Sequence, residues 1–112
     1  MGAAWGALLV AGLFEVAFTT CLRLSQGFTR PLWTAAFAVC AFLSFWFLAY
    51  AQRTIPLGTA YAIWVGIGAV GTLLVGVAFF AERPTALQWM LVLGIVACVV
   101  GIKLSELAKG QA

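Results

Sequence analysis

A single carboxyl group stands in the middle of a strongly apolar stretch near the start of the chain. Glu15 lies within "GALLVAGLFEVAFTTCL", residues 6–22, which holds no other charged residue. Ionising a carboxyl group inside hydrocarbon is costly, so such a group usually faces a protein interior or a water-filled cavity. Glu15 is therefore the first candidate for a binding site. The alternative is a protonated glutamate that is hydrogen-bonded between helices.

The residues one helical turn from Glu15 support a site. Residues three or four apart share a face of a helix, which places Gly12, Phe18 and Thr19 beside the carboxyl group. Ala11 and Gly12 leave space there, and Thr19 offers a hydroxyl. We expect a small polar notch in an otherwise apolar helix.

Two aromatic residues that are three positions apart lie further along the chain. Tyr61 and Trp64 share a helical face within "GTAYAIWVGIGAVG", and Ser44 places a hydroxyl in the preceding apolar stretch. Carboxylates attract cations by charge and aromatic rings attract them through their quadrupole. Together with Glu15, these residues predict a cation site. An aromatic belt at the membrane interface is the alternative for the two rings. Other aromatic residues are expected to face lipid or packing partners: Phe14, Phe18, Phe42, Phe45, Trp46 and Phe47.

The composition indicates that membrane-spanning helices position these residues. Of 112 residues, 65% are hydrophobic and 8% are charged, whereas soluble domains carry about a quarter charged residues. Charges and turn formers divide the chain into apolar segments at about residues 4–22, 32–51, 59–81 and 86–102. Each is near the roughly 20 residues that cross a bilayer, and helices satisfy their own backbone in lipid. We predict an all-α membrane protein, one four-helix domain over residues 1–112, with the tail "KLSELAKGQA" frayed.

Small residues predict where helices approach each other. Gly66, Gly68 and Gly71 follow Trp64 directly, and glycine is a poor helix former. They indicate either close helix contact or a flexible point. A second set forms one stripe of the last segment and suits helix association in lipid: Gly94, Ala97 and Gly101.

Other kinds of site find little support. The cysteines Cys21, Cys40 and Cys98 have no paired spacing and the chain has no histidine, so we expect no metal site and no cofactor. The cations are scattered singly, which argues against nucleic-acid binding, and no nucleophile–base pair indicates an enzyme. Glu82 and Glu106 lie near segment ends and are expected to be solvated.

The cations leave the membrane orientation undecided. With four spans, both termini and the second turn share one side. That side holds Arg53, Lys103 and Lys109, and the other holds Arg23, Arg30 and Arg83. Orientation follows the Lys/Arg bias of short loops, and three against three is no bias. We therefore expect insertion both ways up.

These features together resemble the small multidrug resistance family of bacterial transporters. The resemblance covers nearly the whole chain and is carried by "GLFEV", "RLSQGFTR", "SFWFLAYA" and "IPLGTAYAIWVGIGAVG". It implies antiparallel dimers in the bacterial inner membrane that exchange protons for small organic cations. It also implies that the first three helices line a substrate chamber and the fourth forms the dimer interface, here with Gly94, Ala97 and Gly101.

The resemblance also implies roles for single residues. Glu15 would bind protons and substrate in competition, and Tyr61 and Trp64 would contact substrate. Ser44 would belong to a polar network near the glutamate. Gly66 and Gly68 would let the third helix bend.

The features of two transporter subtypes are mixed in this chain. "GIGAVG" is similar to guanidinium exporters, which usually have Trp in place of Phe18 and Thr in place of Val65. The motif "FTT" at residues 18–20 is similar to the corresponding motif of quaternary-ammonium exporters. Those exporters usually have Tyr in place of Ala41. Guanidinium, substituted guanidines and quaternary ammonium compounds are all candidate substrates. A homodimer is expected, and an obligate pair with a paralogous subunit is the alternative.

Two other classes of membrane protein share features with this chain. A rotor proteolipid also carries one mid-membrane carboxyl group, but it usually has two spans and dense glycine repeats. A structural or regulatory membrane subunit would share the four spans and would show no proton-coupled transport.

Overall fold

Four long helices make up the described part of the chain. The computed structural model describes residues 2–109 and contains no strand among them. The helices are α1 (Gly2–Leu24), α2 (Pro31–Ala51), α3 (Leu57–Phe79) and α4 (Ala86–Ala108). All four are long and apolar enough to cross a membrane. The predicted all-α, four-helix fold is confirmed.

The helix surfaces suit a lipid environment. The helices have 21 to 23 residues, which is roughly 32–35 Å of helix at about 1.5 Å per residue, against a hydrocarbon core of about 30 Å. Large apolar side chains lie open on the outside, such as Leu32 at 74% and Phe79 at 79% exposed. Such exposure is costly in water and favourable against acyl chains.

Turn residues, a proline and a capping box mark the ends of the helices. After α1, Gln26, Gly27 and Phe28 all have positive φ angles, which turns the chain sharply. Pro31 occupies the first turn of α2, where its missing N–H costs nothing. Thr85 and Gln88 form a capping box at the start of α4, which pairs backbone N–H groups that would otherwise be free.

Every helix end but one lies within two residues of its predicted position, and the exception is the end of α4. α3 stops at Phe79 instead of Ala81, because Ala81 has a left-handed φ of 56°. α4 continues to Ala108, so the expectation of a frayed tail was wrong for residues 103–108. The remainder of the predicted frayed tail, residues 110–112, lies outside the described residues.

The helices lie side by side in the order α2, α1, α3, α4. α1 packs against α2 and α3, α4 packs against α3, and α2 meets α3 only weakly. The described chain measures 46 × 34 × 17 Å, so the row is less than two helix diameters thick. The core therefore lies along α1 and its neighbours, with Leu8, Ala11, Ala60 and Ile63 buried.

Glu106 corrects an expectation about the acidic residues. Its side chain is buried, not solvated as expected. Oε1 accepts a hydrogen bond of 3.1 Å from Thr59 Oγ1 at the start of α3, and Lys109 Nζ lies 3.8 Å away. This contact ties the last turn of α4 to α3, which is the physical reason that α4 extends so far. Glu82 is exposed, as expected.

Candidate functional site

Glu15 lies at the seam between α1 and α3. Its carboxyl group rests directly on Gly68, where an added Cβ atom would overlap both the carboxyl carbon and its oxygens. The Oε1 atom is buried and has no hydrogen-bond partner among residues 2–109. A buried polar atom without a partner is uncommon in proteins and calls for an explanation. This position thus combines a close helix contact with an acceptor that is free to bind.

A pair of hydroxyl groups lies one helical turn from Glu15. Thr19 Oγ1 is 2.8 Å from Thr72 Oγ1 across the α1–α3 seam. Thr19 Oγ1 also lies within bonding distance of two carbonyl oxygens of its own helix, those of Glu15 at 3.0 Å and Val16 at 2.9 Å. Thr19 was a predicted site residue. Thr72 was missed, although its position four residues after Gly68 places it on the same face of α3.

Ser44 joins all three helices of the site. Its hydroxyl donates a 2.7 Å hydrogen bond to the carbonyl oxygen of Ala11 on α1. The same oxygen accepts a 3.0 Å hydrogen bond from Trp64 Nε1 on α3. Ser44 is fully buried and Trp64 is 7% exposed, so this network is shielded from solvent. Ser44 therefore fixes the orientation of the Trp64 ring.

Trp64 and Glu15 occupy neighbouring levels of the bundle. Trp64 precedes Gly68 by four residues, and Ala11 precedes Glu15 by four. Four residues advance a helix by about 6 Å. The backbone positions of Trp64 and Ala11 therefore lie one helical turn from those of Gly68 and Glu15.

A row of aromatic rings crosses the same three helices. Tyr61 packs against Trp64 with ring centroids 5.6 Å apart, and Trp64 against Phe45 at 5.7 Å. Phe45 continues to Phe18 at 6.0 Å, and Phe18 to Phe37 at 5.8 Å. Tyr61 is 55% exposed, so its ring forms the open end of the row. Phe45 was expected to face lipid or a packing partner, and its partner is the predicted site residue Trp64.

The predicted glycines of α1 and α3 lie at close contacts between helices of this chain. Gly12 meets the Ile67 side chain, so the space expected beside Glu15 at this position is occupied. Gly66 meets Val99 of α4, and an added Cβ atom at either glycine would overlap its neighbour. Gly71 meets Val16 of α1 in the same way. The sequence offered two explanations for the glycines of α3, a close helix contact or a flexible point. The structure shows close contacts, and α3 is continuous through these glycines.

The stripe on α4 has a different environment. Gly94, Ala97 and Gly101 are exposed, and no atom lies within 4 Å of a Cβ built on either glycine. Among residues 2–109, the two glycines of the stripe therefore meet no neighbouring side chain, and the stripe is an exposed surface of small residues on the outer helix of the row.

The chain is similar to one known protein family and to its members over most of its length. The model of the family described as "Small Multidrug Resistance protein" matches residues 3–97. This chain belongs to the small multidrug resistance family. A relative from Yersinia pseudotuberculosis, named "Guanidinium exporter", is 42% identical over 104 residues, which covers 92% of this chain and 99% of the relative. Relatives of the same name come from Citrobacter freundii, at 40% identity over 90% of this chain and 96% of the relative, and from Salmonella typhimurium, at 39%. With four membrane-spanning helices and bacterial relatives, this family member is a multi-pass protein of the bacterial inner membrane.

Proposed function

We propose that this chain is a proton-coupled antiporter that exports guanidinium or substituted guanidines, with Glu15 binding the proton and the substrate in turn. The observation that carries this proposal is the carboxyl group itself. It lies at mid-span on the α1–α3 seam, and its Oε1 is buried without a partner among residues 2–109. The relatives at about 40% identity, which are named guanidinium exporters, support the substrate class.

The exchange mechanism follows from competition for one carboxyl group. A cation binds the ionised carboxylate, whereas hydrocarbon surroundings favour the neutral, protonated acid. An arriving cation therefore expels the proton, and a returning proton expels the cation. When the site changes sides only with one of the two bound, inward proton flow drives outward cation flow.

Hydrogen bonding gives guanidinium an advantage over other cations at this site. A planar guanidinium donates two parallel N–H···O bonds to a carboxylate. A quaternary ammonium ion has no N–H group and depends on charge and on the rings of Tyr61 and Trp64. The Oε1 atom of Glu15, which is buried and has no hydrogen-bond partner among residues 2–109, suits the first class. Substituted guanidines would use the same carboxylate and place their substituents along the aromatic row.

We further propose that the working unit is an antiparallel homodimer. A single row of helices 17 Å thick cannot enclose a substrate between its faces, so a second copy must cover the site. The unobstructed stripe of Gly94, Ala97 and Gly101 on α4 is the proposed contact. The equal numbers of cations on the two sides favour insertion in both orientations. Bending of α3 at Gly66 and Gly68 would then exchange the two faces.

Reconstitution into liposomes tests the function. The purified chain should carry guanidinium against a proton gradient, and tetra-alkylammonium ions should be carried more weakly or not at all. Glu15→Gln keeps the size of the side chain and removes its titration, so it should insert and dimerise but lose proton-driven transport. Glu15→Asp, the matched control, should retain part of it. A wild-type chain that transports nothing by itself would contradict the homodimer. If a paralogous subunit then restores transport, the chain is half of a heterodimer, and if nothing restores it, the chain is a structural subunit.

A further inference from the structure

Polar groups recur at regular intervals along the outer half of the α1–α3 seam. Its successive levels are four residues apart on both helices: Glu15 lies against Gly68, Thr19 is hydrogen-bonded to Thr72, and Gly76 faces the Glu82 carboxyl group. Each level is about 6 Å from the next. The polar groups thus run in single file from mid-span toward the end of α1, which is Leu24.

A small cavity occupies the outer part of this seam. Its volume is about 60 Å³, and the polar groups on its wall belong to Thr19, Thr20, Arg23, Thr72 and Glu82. One water molecule needs roughly 10–15 Å³ measured in this way and two or more polar partners. The cavity therefore has both the room and the partners for a short file of water. At its outer end the Arg23 guanidinium lies over the Phe80 ring, 5.0 Å from the centroid.

The hydrogen bonds of Thr19 and Thr72 indicate which hydroxyl group donates and which accepts. Among residues 2–109, the one hydrogen-bond partner of the Thr72 hydroxyl is Thr19 Oγ1. Thr19 has two carbonyl oxygens of α1 within reach of its own hydrogen. The arrangement that pairs every hydrogen has Thr72 donating to Thr19, and Thr19 donating to α1. The lone pairs of Thr72 Oγ1 then remain available to accept a hydrogen bond from water in the cavity.

We propose that this hydroxyl seam, Thr19, Thr20 and Thr72 with Arg23 and Glu82 at its outer end, is the route by which water and protons reach Glu15. The inference rests on the proposed proton coupling. A proton from bulk water enters beside the Glu82 carboxylate and passes to the cavity water. Thr72 and Thr19 each accept one proton and release one, so the hydroxyls end unchanged. For the last step the Thr19 hydroxyl turns its hydrogen from the α1 carbonyl oxygens to a water between Thr19 and Glu15. The Glu15 carboxylate takes up a proton from that water, and the bound cation leaves.

The hydroxyl of Thr72 is the natural target for a test, because valine has the same shape and no hydroxyl. In liposomes, Thr72→Val should slow proton-driven guanidinium flux roughly five- to tenfold, which corresponds to about 1–1.4 kcal/mol of barrier. Guanidinium affinity at alkaline pH should stay within about twofold of wild type, since the binding groups are untouched. The solvent isotope effect of D2O on the flux should exceed that of wild type. Thr72→Ser should restore the rate. Thr34→Val is the matched control, because the Thr34 hydroxyl donates to the carbonyl oxygen of Arg30 just before α2 and, among residues 2–109, makes no hydrogen bond to another helix.

The outcomes separate this inference from the function on which it rests. A wild-type chain without proton-coupled flux defeats the proposed function. A wild-type chain that transports, with Thr72→Val equally fast or with its affinity reduced in step with its rate, defeats the route alone. If Thr72→Val does not fold, Glu82→Gln at the exposed outer end replaces it. Glu82→Gln should slow the flux at unchanged affinity, and an unchanged flux would overturn the route.

Discussion

The hydrogen bond from Trp64 to Ser44 should be worth measurable stability, and Ser44→Ala tests this directly. Ser44 is fully buried and Trp64 is 7% exposed. Alanine removes the only hydrogen-bond acceptor of the indole N–H among residues 2–109, and it also frees the carbonyl oxygen of Ala11. The ring must then either keep its position with an unpaired donor or turn away from the site.

The size of the effect follows from burial and solvent. A buried donor without a partner costs about 1–3 kcal/mol in a soluble protein. In membrane proteins measured couplings average about 0.6 kcal/mol and reach about 1.7, because the unfolded state in lipid also finds partners. Full burial of Ser44 places it in the upper half of that range. We therefore expect a Ser44–Trp64 coupling of about 1–1.7 kcal/mol.

A double-mutant cycle isolates this coupling. Unfolding in mixed detergent would be measured for wild type, Ser44→Ala, Trp64→Phe and the double variant, with the exposed Ser105→Ala as a control for serine loss. Phenylalanine has no N–H, so Ser44→Ala should cost less in the Trp64→Phe background. Free energies that add within about 0.3–0.5 kcal/mol would refute the reasoning. Guanidinium affinity should fall with Ser44→Ala and change little with Ser105→Ala.

Three further experiments test the role of the Trp64 ring, the contact between Glu15 and Gly68, and the membrane orientation. Trp64→Leu should fold and should weaken organic-cation binding by roughly 0.5–2 kcal/mol, the range of cation–π contacts; calorimetry checks this, and normal affinity for every cation would assign the ring to packing. Gly68→Ala should insert but lose most guanidinium binding, because the new methyl group occupies the place of the Glu15 carboxyl group; Gly6→Ala, which meets open space, should bind normally. Cysteine-accessibility labelling of the termini should find both membrane sides populated, and two lysines appended to the C-terminus should shift the balance; one-sided labelling of the unaltered chain would favour a partner subunit of opposite orientation.

The helices were predictable because composition alone decides them. An uncharged run of about 20 apolar residues has few options in a membrane other than a helix, and Pro31 and Gly27 mark a turn without reference to the rest of the chain. The end of α4 was not predictable in this way. It depends on the contact of Glu106 with Thr59, 47 positions earlier, and a charge near a segment end gives no sign of such a partner.

The site was predictable for residues whose type is unusual in a membrane span. Glu15 and Ser44 were candidates because a carboxyl or hydroxyl group in hydrocarbon needs a reason. Thr72 met the same criterion and was missed, although its spacing from Gly68 places both residues on one face of α3. Its role depends on the register between α1 and α3, which pairs it with Thr19. The same register places Gly68 of α3 against the carboxyl group, and it places Ile67 in the space beside Gly12.

Guanidinium affinity measured against pH is the most direct test of whether a proton and the cation compete for Glu15. Competition for Glu15 predicts that a proton and the cation exclude each other. Affinity should therefore be constant at high pH and weaken as pH falls through the titration of Glu15, by roughly tenfold per pH unit at the acidic limit, as linkage to one proton requires. Glu15→Gln should bind weakly with no such dependence. Wild-type affinity that stays flat over the whole measured range, from about pH 5 to 9, would contradict exchange at Glu15.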